Sequence, residues 1–151
     1  DPGDPADRKM AAMRGLVRDL LDRGQPMLAV CLGHQVLANL LGLRVDRRLA
    51  PYQGLQRRVD LFGTARRVGF YASFTPVSAE PVIATPYGRV ELARDPVDGA
   101  VHALRGPGFA GVQFHPESVL SEDGFDVLHD LVTALVVEAS PIAVVNPAQA
   151  G

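Results

Sequence analysis

Between positions 27 and 35 the chain reads Met27-Leu28-Ala29-Val30-Cys31-Leu32-Gly33-His34-Gln35. An apolar run over residues 27–32 stops at a turn of small residues, and an apolar helical pattern follows it. A short run that is apolar throughout predicts a strand buried on both faces. Because a helix starts directly after this strand, Cys31 is predicted to lie at a sharp strand-to-helix corner, as in an α/β fold.

The rest of the chain is also consistent with an α/β class. Helical apolar spacing and short β-like segments alternate along it, with Gly and Pro residues between them. We expect an open, mostly parallel twisted sheet with flanking helices. The predicted elements are a helix from Asp7 to Gly24, the buried strand, a helix closed by Gly42, β-like segments over 43–45, 55–61, 67–71, 82–85, 90–93 and 101–104, a strand over 111–115 and a helix opened by residues 121–123.

One domain is predicted over residues 1–139, followed by a flexible C-terminal tail over 140–151 that is rich in Ala, Pro and Val. The chain begins with the turn-like sequence DPGDP, and we expect it to be a piece of a longer protein. A sheet with one central strand needs a further parallel neighbour. We therefore expect at least one N-terminal strand to be missing upstream of Asp1.

Composition excludes several classes of function. The chain has 151 residues, 47% hydrophobic content and a formal net charge of -2, so no nucleic-acid partner is expected. No apolar stretch is long enough to span a bilayer, so no membrane partner is expected either. The single cysteine cannot form an internal disulfide and fits a reducing compartment. We expect a cytoplasmic protein.

Cys31, His115 and Glu117 form a candidate catalytic set. Small residues stand two positions before and two after Cys31, as at the nucleophile elbow of hydrolases. In an extended chain, residues two apart point the same way, so His115 and Glu117 are predicted to lie on one side of their strand. Glu117 would then orient the imidazole, and His115 would accept the proton of the Cys31 thiol.

Simpler interpretations apply to each residue alone. A lone cysteine is most often a core residue, and a lone histidine is most often structural. The elbow and the spaced carboxylate together favour catalysis over both. The other three histidines are interpreted as structural, no metal site is predicted, and the arginine pairs 47–48, 57–58 and 66–67 are interpreted as a solvated face.

Taken together, CLGHQ at 31–35 and HPE at 115–117, 84 positions after Cys31, resemble class I (triad) glutamine amidotransferase domains. The resemblance implies a flavodoxin-like sheet, with Cys31 as nucleophile, His115 as base and Glu117 as its orienter. It also implies that Gly3 and Leu32 supply the oxyanion-hole N–H groups. The residues implied to hold glutamine are Gln35 and, in the segment 71–74, Ser73 and Phe74.

A finer resemblance links the chain to the glutaminase part of phenazine-type aminodeoxyisochorismate synthases, which are relatives of anthranilate synthase. It rests on the stretches PYQGLQ at 51–56, DLFG at 60–63 and VGFY at 68–71. It implies that L-glutamine is hydrolysed through a cysteine thioester and that ammonia passes to a chorismate-using synthase, fused or separate. No cofactor is implied for this domain, and Mg²⁺ is a candidate only for the partner synthase domain.

Two alternatives stay open at this point. One is a non-catalytic scaffold domain of such a synthase. The other is a γ-glutamyl peptidase-like hydrolase built on a similar elbow. The candidate triad argues against a scaffold, and Gln35 with the segment 71–74 suits free glutamine rather than a peptide.

Overall fold

The computed structural model describes residues 5–136 and 143–146. Three helices and eight strands lie within these ranges. In chain order they are α1 (Pro5–Asp22), β1 (Met27–Val30), α2 (Leu32–Leu40), β2 (Arg44–Leu61), β3 (Thr64–Val77), β4 (Val82–Thr85), β5 (Gly88–Arg94), β6 (Val101–Gly106), β7 (Phe109–Val112), α3 (Gly124–Val136) and β8 (Ala143–Val145).

The predicted α/β fold is confirmed. A six-stranded sheet has the order β4-β5-β6-β7-β1-β8, and β2 pairs with β3 in a separate two-stranded ribbon. The sheet is parallel around β1, which pairs with β7 on one side and β8 on the other. It is antiparallel from β4 to β7, where successive strands are joined directly. The parallel part therefore holds the strand that ends at Cys31.

Residues 143–145 differ from the expectation of a flexible tail. They form β8 and pair in parallel with β1 in the register Met27↔Ala143 to Ala29↔Val145. The segment 143–145 reads AVV, and β-branched side chains favour a strand once a partner strand is available. The expected parallel neighbour of β1 is thus present, but it comes from the end of the chain rather than from residues upstream of Asp1.

The core lies on both faces of β1, as its unbroken apolar sequence predicts. Met27 and Ala29 pack in one cluster with residues of α1 and α2. Leu28 and Val30 point the other way and pack with residues of α3 and the β2–β3 ribbon. Both faces of the strand are therefore filled, and its carboxyl end is held at a fixed position. No helix within the described ranges is both long and apolar enough to cross a membrane.

The β2–β3 ribbon is longer than the short segments that the sequence predicted. Register shifts between Arg47 and Tyr52 and between Gln53 and Leu55 interrupt the pairing, which explains why the alternation along the sequence is broken there. Interpreting all the arginine pairs as a solvated face is wrong for Arg48. Its side chain is 7% exposed and pairs with Asp98 at 3.6 Å, and its guanidinium lies 3.5 Å from the Tyr52 ring centroid.

Candidate active site

Cys31 occupies the predicted corner between β1 and α2. Its backbone has φ 54° and ψ -105°, and its N–H donates to the carbonyl of Val112 at 2.8 Å. A positive φ at a residue other than glycine costs about 1–3 kcal/mol and is found mostly at functional sites. Within residues 5–136 and 143–146, Cys31 shares this feature only with Phe62. The sharp turn lets the thiol leave the sheet at the carboxyl end of β1.

The first turn of α2 places backbone N–H groups beside the Cys31 sulfur. Leu32 is the first residue of the helix, and Gln35 is the first to donate back to it, to the Cys31 carbonyl at 3.1 Å. The N–H groups before Gln35 therefore have no acceptor within the helix. Together with the helix dipole they favour a negative charge at this end. Leu32 lies where an oxyanion donor is required, whereas Gly3 lies outside the described residues.

Gly33 is needed at the second position of α2 because the edge strand approaches it closely. A Cβ at Gly33 would lie 2.7 Å from the backbone carbonyl oxygen of Val145. That distance is shorter than any ordinary contact, so the corner accepts only glycine here while β8 is in place. The small residue that the sequence motif indicated is thus explained by strand packing as well as by the turn.

His115 and Glu117 lie together, as their spacing predicted. The imidazole Nδ1 of His115 is 2.7 Å from Oε1 of Glu117, and the ring lies within hydrogen-bonding reach of the Cys31 thiol. The structure therefore brings the thiol, the imidazole and the carboxylate into one series. Such a series can move a proton between sulfur and a bound molecule while the carboxylate holds the ring orientation.

The three buried or partly buried histidines differ in charge. The hydrogen bond with Cys31 raises the pKa of His115 to about 9, with a smaller contribution from Glu117. Burial lowers the pKa of His34 to about 4, and burial does the same to the pKa of His102. Among these residues only His115 holds a proton at neutral pH. No three His, Cys, Asp or Glu side chains in the described ranges are grouped as metal ligands.

Ser121, which the sequence analysis did not single out for the site, holds His115 against β3. Its hydroxyl donates to the His115 carbonyl at 2.6 Å and accepts from the Gly69 N–H at 2.8 Å. The His115 N–H donates in turn to the Gly69 carbonyl at 3.0 Å. The Tyr71 ring meets the imidazole edge to face, with the ring centroids 5.6 Å apart. The base is therefore held by β3 and the loop before α3.

Gln35 and the segment 71–74 border the same corner. The side-chain amide nitrogen of Gln35 donates to the Phe74 carbonyl at 3.0 Å, and the Tyr71 carbonyl oxygen lies 3.9 Å from the Cys31 sulfur. Ser73 is turned towards the ribbon, where its hydroxyl accepts from Gln53 at 3.1 Å. Phe74 is 44% exposed. Gln35 and the backbone of this segment are thus close to the thiol.

The sequence analysis also missed Gln113, which precedes the HPE motif by one residue. Its side chain is almost fully buried and its amide nitrogen lies 3.7 Å from the Cys31 sulfur. A buried amide at the end of an apolar strand is an unusual polar residue in a core, and this was the available signal.

The fold and this geometry together define a class of protein: an α/β domain with a cysteine acyl-transfer site at a nucleophile elbow. The family model described as "Glutamine amidotransferase class-I" matches residues 2–135. The chain therefore belongs to the class I glutamine amidotransferase family, and the resemblance seen in its motifs is confirmed.

Known relatives narrow the comparison. "Anthranilate synthase, phenazine specific" of Pseudomonas fluorescens is 46% identical over 135 residues, covering 87% of this chain and 21% of that protein. "Anthranilate synthase component 2" of Archaeoglobus fulgidus is 38% identical over 117 residues, covering 72% of this chain and 61% of that protein. The chain thus spans about a fifth of the Pseudomonas protein.

A solved structure agrees on the fold. The crystal structure of a Thermoplasma acidophilum protein, named for GMP synthase, aligns with a TM-score of 0.66 at 15% sequence identity. The alignment covers 88% of this chain and 68% of that chain. At this identity the likeness concerns the fold alone.

Proposed function

We propose that this chain hydrolyses L-glutamine through a glutamyl thioester on Cys31 and supplies the ammonia to a chorismate-using synthase. The observation that carries the proposal is the series of Cys31, His115 and Glu117 at a strained elbow, with Gln35 beside the thiol. Family membership supports glutamine as the substrate. The 2.7 Å contact between His115 and Glu117 supports a base of defined orientation.

In the first half of the reaction, the Cys31 thiolate attacks the side-chain carboxamide carbon of glutamine while His115 carries the proton. The N–H of Leu32 stabilises the oxyanion, and Gly3 is proposed as the second donor. The C–N bond then breaks, and His115 gives its proton to the departing nitrogen, so ammonia leaves. A preorganised oxyanion donor contributes about 10²–10³-fold to the rate of such a step.

In the second half, a water molecule attacks the thioester carbonyl. His115, now neutral, takes one proton from this water. The C–S bond breaks, glutamate is released and the thiolate–imidazolium pair is restored. Gln35 and the segment containing Ser73 and Phe74 are proposed to hold the α-amino and α-carboxyl groups of glutamine throughout. No step requires a cofactor in this domain, and any Mg²⁺ requirement is assigned to the partner.

The partner is proposed from the names of the relatives. The Pseudomonas fluorescens protein is named a phenazine-specific anthranilate synthase, and this chain matches only 21% of its length. That coverage supports a glutaminase that works with a synthase domain, fused or separate, of the aminodeoxyisochorismate or anthranilate type. We place the reaction in the cytoplasm because the catalytic thiol has to stay reduced.

The test is to incubate the chain with radiolabelled glutamine, quench it in acid and measure protein-bound label, together with glutamate and ammonia release. We expect a labelled thioester, and we expect Cys31→Ala to lose the label and at least about 10³-fold of the rate. Alanine is a matched change because it meets the same strain at a positive φ.

Three results would contradict the proposal. Cys31→Ala could keep the rate of the unmodified chain. γ-Glutamyl peptides could outperform glutamine, which would favour the peptidase. The chain could also bind a synthase without ever forming the thioester, which would favour the scaffold.

A further inference from the structure

Gln113 is the one buried amide next to the nucleophile that the proposed reaction leaves without a role. It follows β7, is 1% exposed, and its backbone N–H donates to the His102 carbonyl at 2.8 Å. Its side chain makes two contacts. The amide nitrogen faces the Cys31 sulfur at 3.7 Å, and the amide oxygen faces the Gln35 nitrogen at 3.2 Å.

The direction of the Gln113 amide follows from its neighbours. A backbone carbonyl can only accept, so the Phe74 carbonyl requires the NH₂ group of Gln35 to face it. The same NH₂ group is turned to Gln113 and requires an oxygen there. Gln113 must then present its own NH₂ group to Cys31. One carbonyl of β3 thereby determines that a donor, rather than an acceptor, meets the sulfur.

We propose that Gln113 is a hydrogen-bond donor to the Cys31 thiolate and that Gln35 holds it in this orientation. The series Phe74–Gln35–Gln113–Cys31 then links the residue proposed to hold glutamine with the nucleophile. The link to glutamine rests on the proposed function, whereas the stabilisation of the thiolate does not.

The physical reason is that a buried charge depends on its few hydrogen bonds. An amide N–H that points at an anionic sulfur stabilises it more than it would a neutral thiol. If the N–H is removed and the volume is kept, less of the sulfur is present as thiolate at a given pH. The effect of one hydrogen bond to a charged group corresponds to about a tenfold change, or about one pH unit.

The experiment measures the rate of iodoacetamide alkylation of Cys31 against pH in the full chain. We expect Gln113→Met, which keeps the side-chain volume, to move the profile to higher pH by about one unit. Gln35→Met should move it in the same direction by less, because Gln113 then loses its orienting donor. Gln56→Met is the matched control, since this exposed glutamine donates to the Leu120 carbonyl at 2.7 Å and takes no part in the series.

A wild-type alkylation profile in folded Gln113→Met would overturn the proposal. If that variant does not fold, Gln35→Met decides, because its side chain is only half-buried; a wild-type profile there also overturns it. Alkylation requires no glutamine. A chain with the expected shifts but no glutaminase activity would therefore refute the proposed function and leave the role of Gln113 standing.

Discussion

His34 and His115 show how one residue type takes opposite states around the same nucleophile. His34 lies in the first turn of α2, is fully buried, and has its Nε2 3.0 Å from the Val101 carbonyl oxygen. Its Nδ1 has no partner among the residues that the structure describes. His115 lies at the surface end of the site, with Cys31 and Glu117 as partners.

The difference teaches that charged partners rather than depth determine where the proton is. Burial without a carboxylate lowers the pKa of His34 to about 4, so this imidazole is neutral. The thiol and the carboxylate raise the pKa of His115 to about 9 despite its partial burial. Only His115 can therefore donate a proton to departing ammonia at neutral pH, although both histidines are close to Cys31 in the fold.

The largest expected effect comes from removing the charged histidine. We expect His115→Asn to lower the rate of glutamate release by at least about 10³-fold, because both the proton acceptor and the proton donor are lost. The rate is measured with a coupled glutamate assay. His129→Asn is the control, since His129 is exposed on α3 and stacks only on Phe125. A residual rate above a tenth in His115→Asn would mean that another group moves the proton.

The next effect concerns the neutral histidine and is read as stability. The pKa of His34 is about 4 in the folded chain and about 6.5 when unfolded, so the unfolded chain binds more protons between these values. The free energy of unfolding should therefore decrease as the pH falls from 6.5 towards 4, by about 3 kcal/mol from this residue. Urea unfolding at a series of pH values measures it.

The variant His34→Gln stays neutral and keeps an N–H for the Val101 carbonyl. It should be less stable than the original chain at pH 7 and decline less steeply in acid. His129→Gln makes the same change at an exposed position and should keep the original slope. Parallel curves for His34→Gln and the original chain would show that His34 is already protonated in the folded state.

The smallest effect comes from weakening the pair around His115. We expect Glu117→Gln to lower the rate about tenfold and to move the alkaline decline of activity to lower pH, because the carboxylate helps to keep the pKa of His115 near 9. The measurement is the pH dependence of glutamine hydrolysis from pH 6 to pH 10. An alkaline decline at the same pH in both chains would remove Glu117 from the account of the proton.

The elbow was predictable because its signal is local. An apolar run, a small-residue turn and an apolar helix are adjacent in sequence, so the corner at Cys31 follows from the sequence alone. The pairing of His115 with Glu117 followed from the two-residue period of an extended chain. The assignment of catalytic roles to these residues, and to Leu32, Gln35, Ser73, Phe74 and Gly3, stays a prediction.

The supporting contacts were not predictable because they join distant parts of the chain. Gln113 meets Gln35 across 78 positions, and Ser121 reaches Gly69 across 52. Neither side chain belongs to a local pattern. The same holds for β8, whose three residues form a strand only because β1 offers an open parallel edge, and for Arg48, which Asp98 and Tyr52 draw into the interior.

The positive φ of Cys31 has a consequence for anyone who engineers this chain. Glycine adopts that conformation without strain, so Cys31→Gly is the substitution at this position that thermostability screening would favour. It would also delete the thiol. A screen that scores melting temperature alone would thus select inactive variants at the one position where the backbone is bent for chemistry, and position 31 has to be held constant in such a library.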